Sequence, residues 1–373
     1  MDVTHGIYDT ITGAPVMPRV EASGDWKLTL TALGRGTHTI NLARTKLSQA
    51  EWANARRHWV RTLVEFHDGV PKYAGLITRW RGRHETKEIV LETLTVDAVL
   101  RSRFPFGVGS YGSDPDFVVT SSSLRAAIEQ AIYRGIGGGM TWGPEWGLPF
   151  TFAHRTEAGS FSREWKKYDL QLVDDIVTAI KKMDGAPDLA FIPRLTSAGM
   201  LQWDVTTGDP HISGTTLDLP LAVRNSRARG LETVSDGMSM ASGVLMQGEG
   251  RGEDIKLGRA GYFAGRPSGA PPMIVRDVAN RGSVDIDDET MLTQQAQRYL
   301  DDNTNPAKVR EFRLNVEPRA DAFTPADVRL GTRFNAMHSG DIIEPRFTET
   351  LYVVALAFNT NDPNTYRPEV MTI

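Results

Sequence analysis

The sequence predicts an α+β, β-rich protein in which two similar antiparallel β-barrel domains flank an intervening α+β domain. Three observations predict it. Runs that alternate apolar and polar residues, the period of half-buried strands, dominate near residues 26–97 and return near residues 284–358. In both places the strands surround a single amphipathic helix. Between them lies a block with two helix-period segments and two short strands, a different texture. The expected domains are therefore 1–104, a first barrel; 105–222, an inserted α+β domain; and 223–373, a second barrel with long loops.

In the first barrel, Trp26-Lys27-Leu28-Thr29-Leu30-Thr31 alternates as a strand should. Ser48-Gln49-Ala50-Glu51 is a capping box: the Ser48 hydroxyl accepts from the Glu51 amide while the Glu51 carboxylate accepts from the Ser48 amide. Leu47 and Trp52 are placed to form a hydrophobic staple beside it. Trp52, Ala55, Trp59 and Leu63 then make one apolar stripe, with Arg57 and Arg61 pointing away, so a helix is expected through residue 63 on the side of a sheet. From Val64 the period changes to that of strands. Asp68-Gly69-Val70-Pro71 supplies hairpin residues between residues 64–67 and 72–78. A further strand, residues 87–97, puts Ile89, Leu91 and Thr93 on one face.

The middle block opens with Ser121-Ser122-Ser123, an N-cap for a helix whose Leu124, Ala127, Ile128, Ala131 and Ile132 follow the 3.6 period. It should stop at Gly135. A second helix is expected near residues 169–183, with Leu172, Val173, Ile176, Val177 and Ile180 on its buried face and Gly185 beyond its end. Strands at residues 189–194 and 200–205 follow. Residues 223–280 are rich in glycine and poor in period, and read as exposed loops that include residues 247–254 and 265–272. A helix near residues 288–300 then precedes strands at 312–316 and 351–358.

Composition narrows the function classes. A chain of 373 residues with 40% hydrophobic and 24% charged residues has the balance of a soluble globular protein of two or three domains. No window approaches the roughly 18 apolar residues of a membrane helix, and Met1-Asp2-Val3-Thr4-His5 has no signal-peptide pattern, so no membrane insertion is expected. The absence of cysteine removes disulfides, thiolate metal sites and cysteine nucleophiles, and fits assembly in a reducing cytosol. Residues 1–105 carry 15 Lys+Arg against 11 Asp+Glu, and the remainder 27 against 35. Neither part has the basic excess of a nucleic-acid binder. The dense basic runs, residues 56–61 and 79–83, read as solvated or subunit-contact faces.

Candidate chemistry is sparse. Gly135-Ile136-Gly137-Gly138-Gly139 lacks the lysine of a phosphate loop and follows a helix instead of preceding one. Asp285-Ile286-Asp287-Asp288-Glu289 lacks the ligand order of a calcium loop and reads as a helix start. The eight histidines show no metalloprotease spacing; His154, His211 and His338 sit beside loop residues without supporting carboxylates. No Gly-x-Ser-x-Gly elbow occurs. Paired glycosidase carboxylates cannot be read from spacing. Trp142 and Trp146 in Trp142-Gly143-Pro144-Glu145-Trp146-Gly147 suit loop packing better than sugar stacking. No catalytic, cofactor-binding or metal residue is therefore assigned, and no cofactor is expected.

Several short motifs, in order, carry a resemblance. Asp68-Gly69 leading into Tyr73-Ala74-Gly75-Leu76-Ile77 resembles a hairpin of tail hub proteins of long-tailed bacteriophages. Tyr168-Asp169-Leu170, Phe191-Ile192-Pro193-Arg194 and Gly199-Met200-Leu201-Gln202-Trp203 resemble the minor tail (Gp37-like) proteins of actinobacterial siphophages. Gly340-Asp341-Ile342-Ile343-Glu344 and residues 351–358 are similar to the last barrel strands of such hubs. The resemblance implies a structural virion protein at the phage tail tip, assembled in the host cytoplasm, with tail-tube-like barrels. It further implies a homotrimer whose six barrels form a pseudo-sixfold baseplate hub, joining a hexameric tail tube or distal tail protein to a threefold tip. The implied partners are the distal tail protein, the tape measure protein and tail-tip spike or fibre proteins, with DNA passing through the lumen without sequence-specific binding. No active site is implied, and no lysozyme or peptidase domain follows before Ile373. The competing readings are a tail-associated cell-wall hydrolase and a carbohydrate-binding receptor protein.

Overall fold

The computed structural model describes residues 1–30, 32–44, 48–106, 115–136, 147–183, 185–221, 226–250, 252–264, 276–280, 286, 288–316 and 323–373. It divides into two compact units, Met1–Leu231 with Glu311–Ile373, and Glu232–Arg310.

The larger unit begins with β1 (Val3–Asp9), β2 (Pro15–Val20), β3 (Ala22–Thr29), β4 (Arg35–Asn41), helix α1 (Gln49–Ala55), β5 (Arg61–His67), β6 (Val70–Arg83) and β7 (Glu88–Thr95). These strands hydrogen-bond in the order β3-β4-β7-β6-β5-β1-β2. Asp68 and Gly69, at φ 49° and 79°, close the β5–β6 hairpin, tighter than the four-residue loop expected. Both central residues of such a turn need positive φ, which Asp and Gly tolerate best. Ile7, Ile40, Trp52, Leu63, Ile77, Ile89 and Leu91 form the core on one side of these strands.

The middle segment contributes β8 (Phe117–Ser122), α2 (Leu124–Gly135), β9 (Phe150–Phe152), β10 (Phe161–Trp165), α3 (Val173–Lys181), β11 (Leu189–Leu195) and β12 (Leu201–Thr207). β10 pairs with β8, and β12 lies between β11 and β9. The expected helix faces are buried: Ala127, Ile128, Ala131 and Ile132 on α2, and Val173, Ile176, Val177 and Ile180 on α3, share one core. Ser123 caps α2 as expected, its hydroxyl accepting from the Ala126 amide at 3.1 Å.

The chain continues through β13 (Thr216–Pro220) and β14 (Ala228–Asp236), along which it passes into the smaller unit at Glu232, and then forms β15 (Gly243–Gln247), β16 (Leu257–Gly261), β17 (Asp277–Asn280) and α4 (Glu289–Asn303). It passes back into the larger unit at Glu311, within β18 (Ala307–Asn315), and continues as β19 (Arg333–His338), β20 (Phe347–Asn359) and β21 (Thr365–Thr372). In the smaller unit β15 is the central strand, and Val244, Met246 and Ala260 pack with Leu292, Ala296 and Leu300 of α4. Gly258 lets the helix approach, because a Cβ there would lie 2.1 Å from the Leu292 carbonyl carbon.

The remaining strands of the same sheet follow the order β14-β18-β21-β20-β19-β13. Taken in chain order, β13, β14, β18, β19, β20 and β21 therefore repeat the places of β1, β3, β4, β5, β6 and β7. Register repeats too. β6 pairs first with β5 and then with β7, with an irregularity between Ile77 and Arg79. β20 pairs first with β19 and then with β21, with an irregularity between Val353 and Ala355. In each case the hand-over uses two shared residues, Gly75 and Leu76 or Leu351 and Tyr352. The halves differ in that β1 runs antiparallel to β5 whereas β13 runs parallel to β19. Among the described residues β2 has no counterpart, and the smaller unit runs from within β14 to within β18.

Both halves curl. A flat sheet would hold β4 and β5 about 14 Å apart, three strand spacings. Yet the His38 ring on β4 meets the Glu65 carboxylate on β5 at 3.3 Å. Phe312 on β18 and Phe334 on β19, again three spacings apart, bring their ring centroids within 5.8 Å. Residues 355–359 of β20 pair with residues 25–29 of β3, which joins the halves into one sheet. Among the described residues neither half closes on itself.

Five expectations need correcting. α1 ends at Ala55, so the stripe through Trp59 and Leu63 is not one helix face. Trp59 instead stands in the left-handed region at φ 60°, half exposed, and Leu63 is buried in β5. The helical spacing there is an accident of a helix followed by a turn and a strand whose apolar residues continue the count. The helix near residues 169–183 starts only at Val173, because Leu170 takes a left-handed φ of 50° after a short 3-10 turn. Residues 223–280 are not loop throughout, since β14 to β17 lie within them. The helix near residue 288 forms, but in the core of the smaller unit and not within a second barrel. The division at 104 and 222 runs across the observed units, since β20 and β3 share a ladder and Glu232–Arg310 cluster separately.

Candidate functional site

Polar chemistry concentrates first inside the first half. Glu65 on β5 is fully buried, and so are His5 on β1, His38 on β4 and His67, two residues along β5. Alternation along a strand places Glu65 and His67 on one face, and direct pairing places His5 opposite Glu65. One carboxylate oxygen accepts from His5 Nε2 at 2.9 Å and His38 Nε2 at 3.3 Å. The other accepts from His67 Nε2 at 2.6 Å and Trp26 Nε1 at 2.6 Å. His67 Nδ1 in turn meets the Tyr366 hydroxyl. These four donors fill the acceptor sites of a carboxylate when each imidazole carries its proton on Nε2.

Burial by itself would push the Glu65 carboxyl up; hydrogen bonds from His38, His5 and His67 outweigh it and hold the group far below the usual carboxylate range. Burial pushes His67 down, against the opposing pull of Glu65. His5 Nε2, His38 Nε2 and a Glu65 oxygen lie within 4.8 Å of one another, a ligand set that a divalent transition metal accepts. A cation there would have to displace two ring protons already bonded to Glu65. His38 Nδ1, buried and without a partner, also lacks the outer hydrogen bond that usually orients an imidazole ligand. The arrangement works as an anion cage that ties β1, β3, β4 and β5 together.

A second concentration is a cavity of about 270 Å³ lined by Leu28, Lys72, Asp97, Val177, Phe191 and Leu330, among others. Lys72 donates to the Val328 carbonyl at 2.8 Å, and burial, with Arg329 adding repulsion, pushes its ammonium down to about 7. Burial pushes Asp97 up, and its Oδ1 has no partner. No hydrogen bond links Asp97 and Lys72 among the described residues. They form no acid–base couple.

The third is an exposed run on β6. Arg79, Arg81 and Arg83 alternate along its last five residues and face Glu92 and Glu88 of β7, with ion-pair distances of 3.6, 2.9 and 3.4 Å. Arg56 stacks over Trp80 at 3.9 Å. The expectation that the 79–83 run is a face in solvent or against a subunit fits this placement.

The residues singled out from sequence are scattered. His211 Nδ1 meets Asp188 at 3.0 Å and His338 Nε2 lies 3.6 Å from Asp341, while the His154 amide donates to buried Glu129 at 2.7 Å. The structure brings none of these histidines to another. Asp288 caps α4, its carboxylate accepting from the Thr290 amide at 2.7 Å. Asp285, Asp287, Gly137, Gly138, Gly139, Trp142 and Trp146 lie outside the described residues. The Glu65 cage was missed. Glu65 and His67 at alternate positions of one apolar strand were its only local signal.

No protein-family model and no curated protein matches the sequence. Solved structures do. The 43 kDa tail protein of prophage MuSo2 from Shewanella oneidensis matches with a TM-score of 0.58 at 10% identity, covering 99% of this chain and 98% of that one. A tail protein from Neisseria meningitidis matches with a TM-score of 0.57 at 14% identity, covering 99% and 96%. The prophage tail protein gp18 from Listeria monocytogenes matches with a TM-score of 0.50 at 8% identity, covering 99% and 94%. The chain shares its fold, end to end, with phage tail proteins.

Proposed function

We propose that this chain is a structural component of a bacteriophage tail, the hub of the distal tail tip. Three copies would present six similar curled sheets to a sixfold tube or distal tail protein and a threefold face to spike or fibre proteins. The tape measure and the DNA would pass through the lumen. The carrying observation is the repeat: six strands of the second half take the places of six strands of the first, with the same hand-over along the long strand. A threefold ring can meet a sixfold partner only if each subunit offers two near-equivalent modules, and closed rotational symmetry is the common outcome for such assemblies. Full-length likeness to tail proteins adds support.

In this reading the two modules are the tail-tube-like barrels, each completed by neighbours, and residues 105–222 decorate the outside. Membership of the Gp37-like minor tail group belongs to the same proposal. Native mass spectrometry and a cryo-EM map test it: a ring of three copies is expected, and a monomer or a twofold assembly overturns it. The chain acts without catalysis in this reading, so the purified protein should leave peptidoglycan intact. Clearing activity abolished by substitution of one Asp or Glu would instead establish a hydrolase.

A further inference from the structure

The internal repeat marks a specific edge for joining copies. β20 pairs with β21 along one edge, while its other edge carries β19 first and then, through residues 355–359, β3 of the other half. β6 is the counterpart of β20, and its matching residues are 79–83, counted from the irregularities at Ile77/Arg79 and Val353/Ala355. Those residues pair with β7 on one edge. On the other, the ladder with β5 has already ended at Leu76, and no strand or backbone hydrogen bond occupies residues 79–83 among the described residues. β3 has its own counterpart in β14, the outermost strand at that end of the sheet among the described residues. The chain thus holds one join of the long-strand-to-β3 type and both halves of a second, unmade one.

We propose that copies of this chain join by strand addition, residues 79–83 of β6 pairing antiparallel with β14 of a neighbouring copy. The inference rests on the proposed ring and names the contact that closes it. An exposed, extended edge with unpaired amides is a template for another strand, and proteins usually block such edges unless they are used. This one carries no proline and lies open. β2, at the far end of the sheet, has Pro15 and Pro18 instead. Charge favours the pairing: the β6 run bears Arg79, Arg81 and Arg83, and β14 bears Glu232 and Asp236 against one Arg229. Val234, exposed on β14, gains cover from the strand that docks beside it. Each copy supplies one β6 edge and one β14 edge, a head-to-tail arrangement that makes a ring when the rotation between copies closes.

The chain contains no cysteine, so introduced thiols can react only with each other. Arg81→Cys would be combined in turn with Leu231→Cys, Thr233→Cys and Ser235→Cys in the full chain, positions spread along β14 because a disulfide needs its Cα atoms within about 7 Å. Oxidation should give covalent dimers and trimers in at least one pair and none in the single variants. A second measurement uses Arg79→Glu with Arg81→Glu and Arg83→Glu, all exposed positions, which should shift the native mass from trimer to monomer while thermal melting stays within a few degrees. If the native particle is a trimer but no pair cross-links and the charge-reversed chain remains trimeric, the contact is elsewhere and the ring reading survives. If the unmodified chain is a monomer, the ring reading itself falls. Cross-linking within a single chain also overturns the proposal.

Discussion

The two halves of the sheet share an order of strands and differ in what fills them. Tyr73 and Glu349 each lie four residues before the irregularity of their long strand, and their partners across the ladder are Glu65 and Ala336. One place in the fold therefore holds, in the first half, a buried carboxylate with four donors and, in the second, a buried alanine beside Phe312 and Phe334. The long strand differs as well: residues 355–359 of β20 are covered by β3, whereas residues 79–83 of β6 are open. Core chemistry has thus diverged while connectivity and curl have not. Close packing and satisfied polar groups are what a core requires, and an ionic cage and an aromatic cluster both meet that condition.

Exchanging the two cores should break the protein on both sides. Glu65→Ala leaves three imidazoles and an indole without their acceptor, and removing one partner of a buried ionic network costs about 3–5 kcal/mol. Ala336→Glu buries a carboxylate with no donors prepared for it and should cost at least as much. Urea denaturation measures both. If Ala336→Glu changes stability by less than 1 kcal/mol, the second core admits water and the contrast between the halves is false.

Acid should sharpen the same contrast. Glu65 and His67 both have pKa values lower in the folded state than in the unfolded chain. The folded state then binds fewer protons, so their stabilisation is present above the unfolded values and lost as pH falls. Loss should begin near pH 6.5, where an unfolded histidine titrates, and deepen near pH 4.5, where an unfolded glutamate does. The urea midpoint should drop between pH 7.5 and 5.5. A midpoint flat over that range would mean that the cage is already protonated or hydrated at neutral pH.

Local chemistry was legible in the sequence, and partnership between distant strands was not. The Ser48 cap, the Asp68-Gly69 turn and the buried faces of α2 and α3 each rest on residues within a few positions of one another, and each is present. The Glu65 cage draws on residues 5, 26, 38, 65, 67 and 366, from strands that pairing order alone brings together. Repeated strand texture suggested a duplication and placed one helix in each copy. The true equivalence excludes that helix: α4 packs in an insertion, and no helix lies between β18 and β19 among the described residues. Glycine-rich residues 243–261 hid two short strands because glycine carries no side chain to show a period.

α1 is a feature of the first half alone, and its cap tests how much that half depends on it. The Ser48 hydroxyl and Glu51 carboxylate make the reciprocal box, with the Ser48 amide donating to Glu51 at 2.7 Å. Ser48→Ala should cost about 1 kcal/mol, well below the cost of opening the cage. A loss equal to that of Glu65→Ala would mean that α1, and not the cage, holds the first half together.

The smallest effect is expected at Trp59, and it is diagnostic because the helical stripe would have made it one of the largest. A tryptophan packed on a helix face costs about 3–5 kcal/mol when cut to alanine. Trp59 is instead 50% exposed in the turn between α1 and β5, held by its amide donating to the Ile77 carbonyl at 2.9 Å. That backbone bond survives any side chain except proline, so Trp59→Ala should change stability by no more than about 0.5 kcal/mol. The left-handed φ of 60° adds a second expectation. A side chain with a Cβ is strained there by roughly 1–2 kcal/mol, and glycine is not. Glycine also frees the unfolded chain, which offsets about 0.5–1 kcal/mol of that relief. Trp59→Gly should therefore match or slightly exceed the parent in thermal melts. A loss of several degrees in both variants would place the indole in a core after all, restore the long α1, and with it the helix as a shared part of both halves.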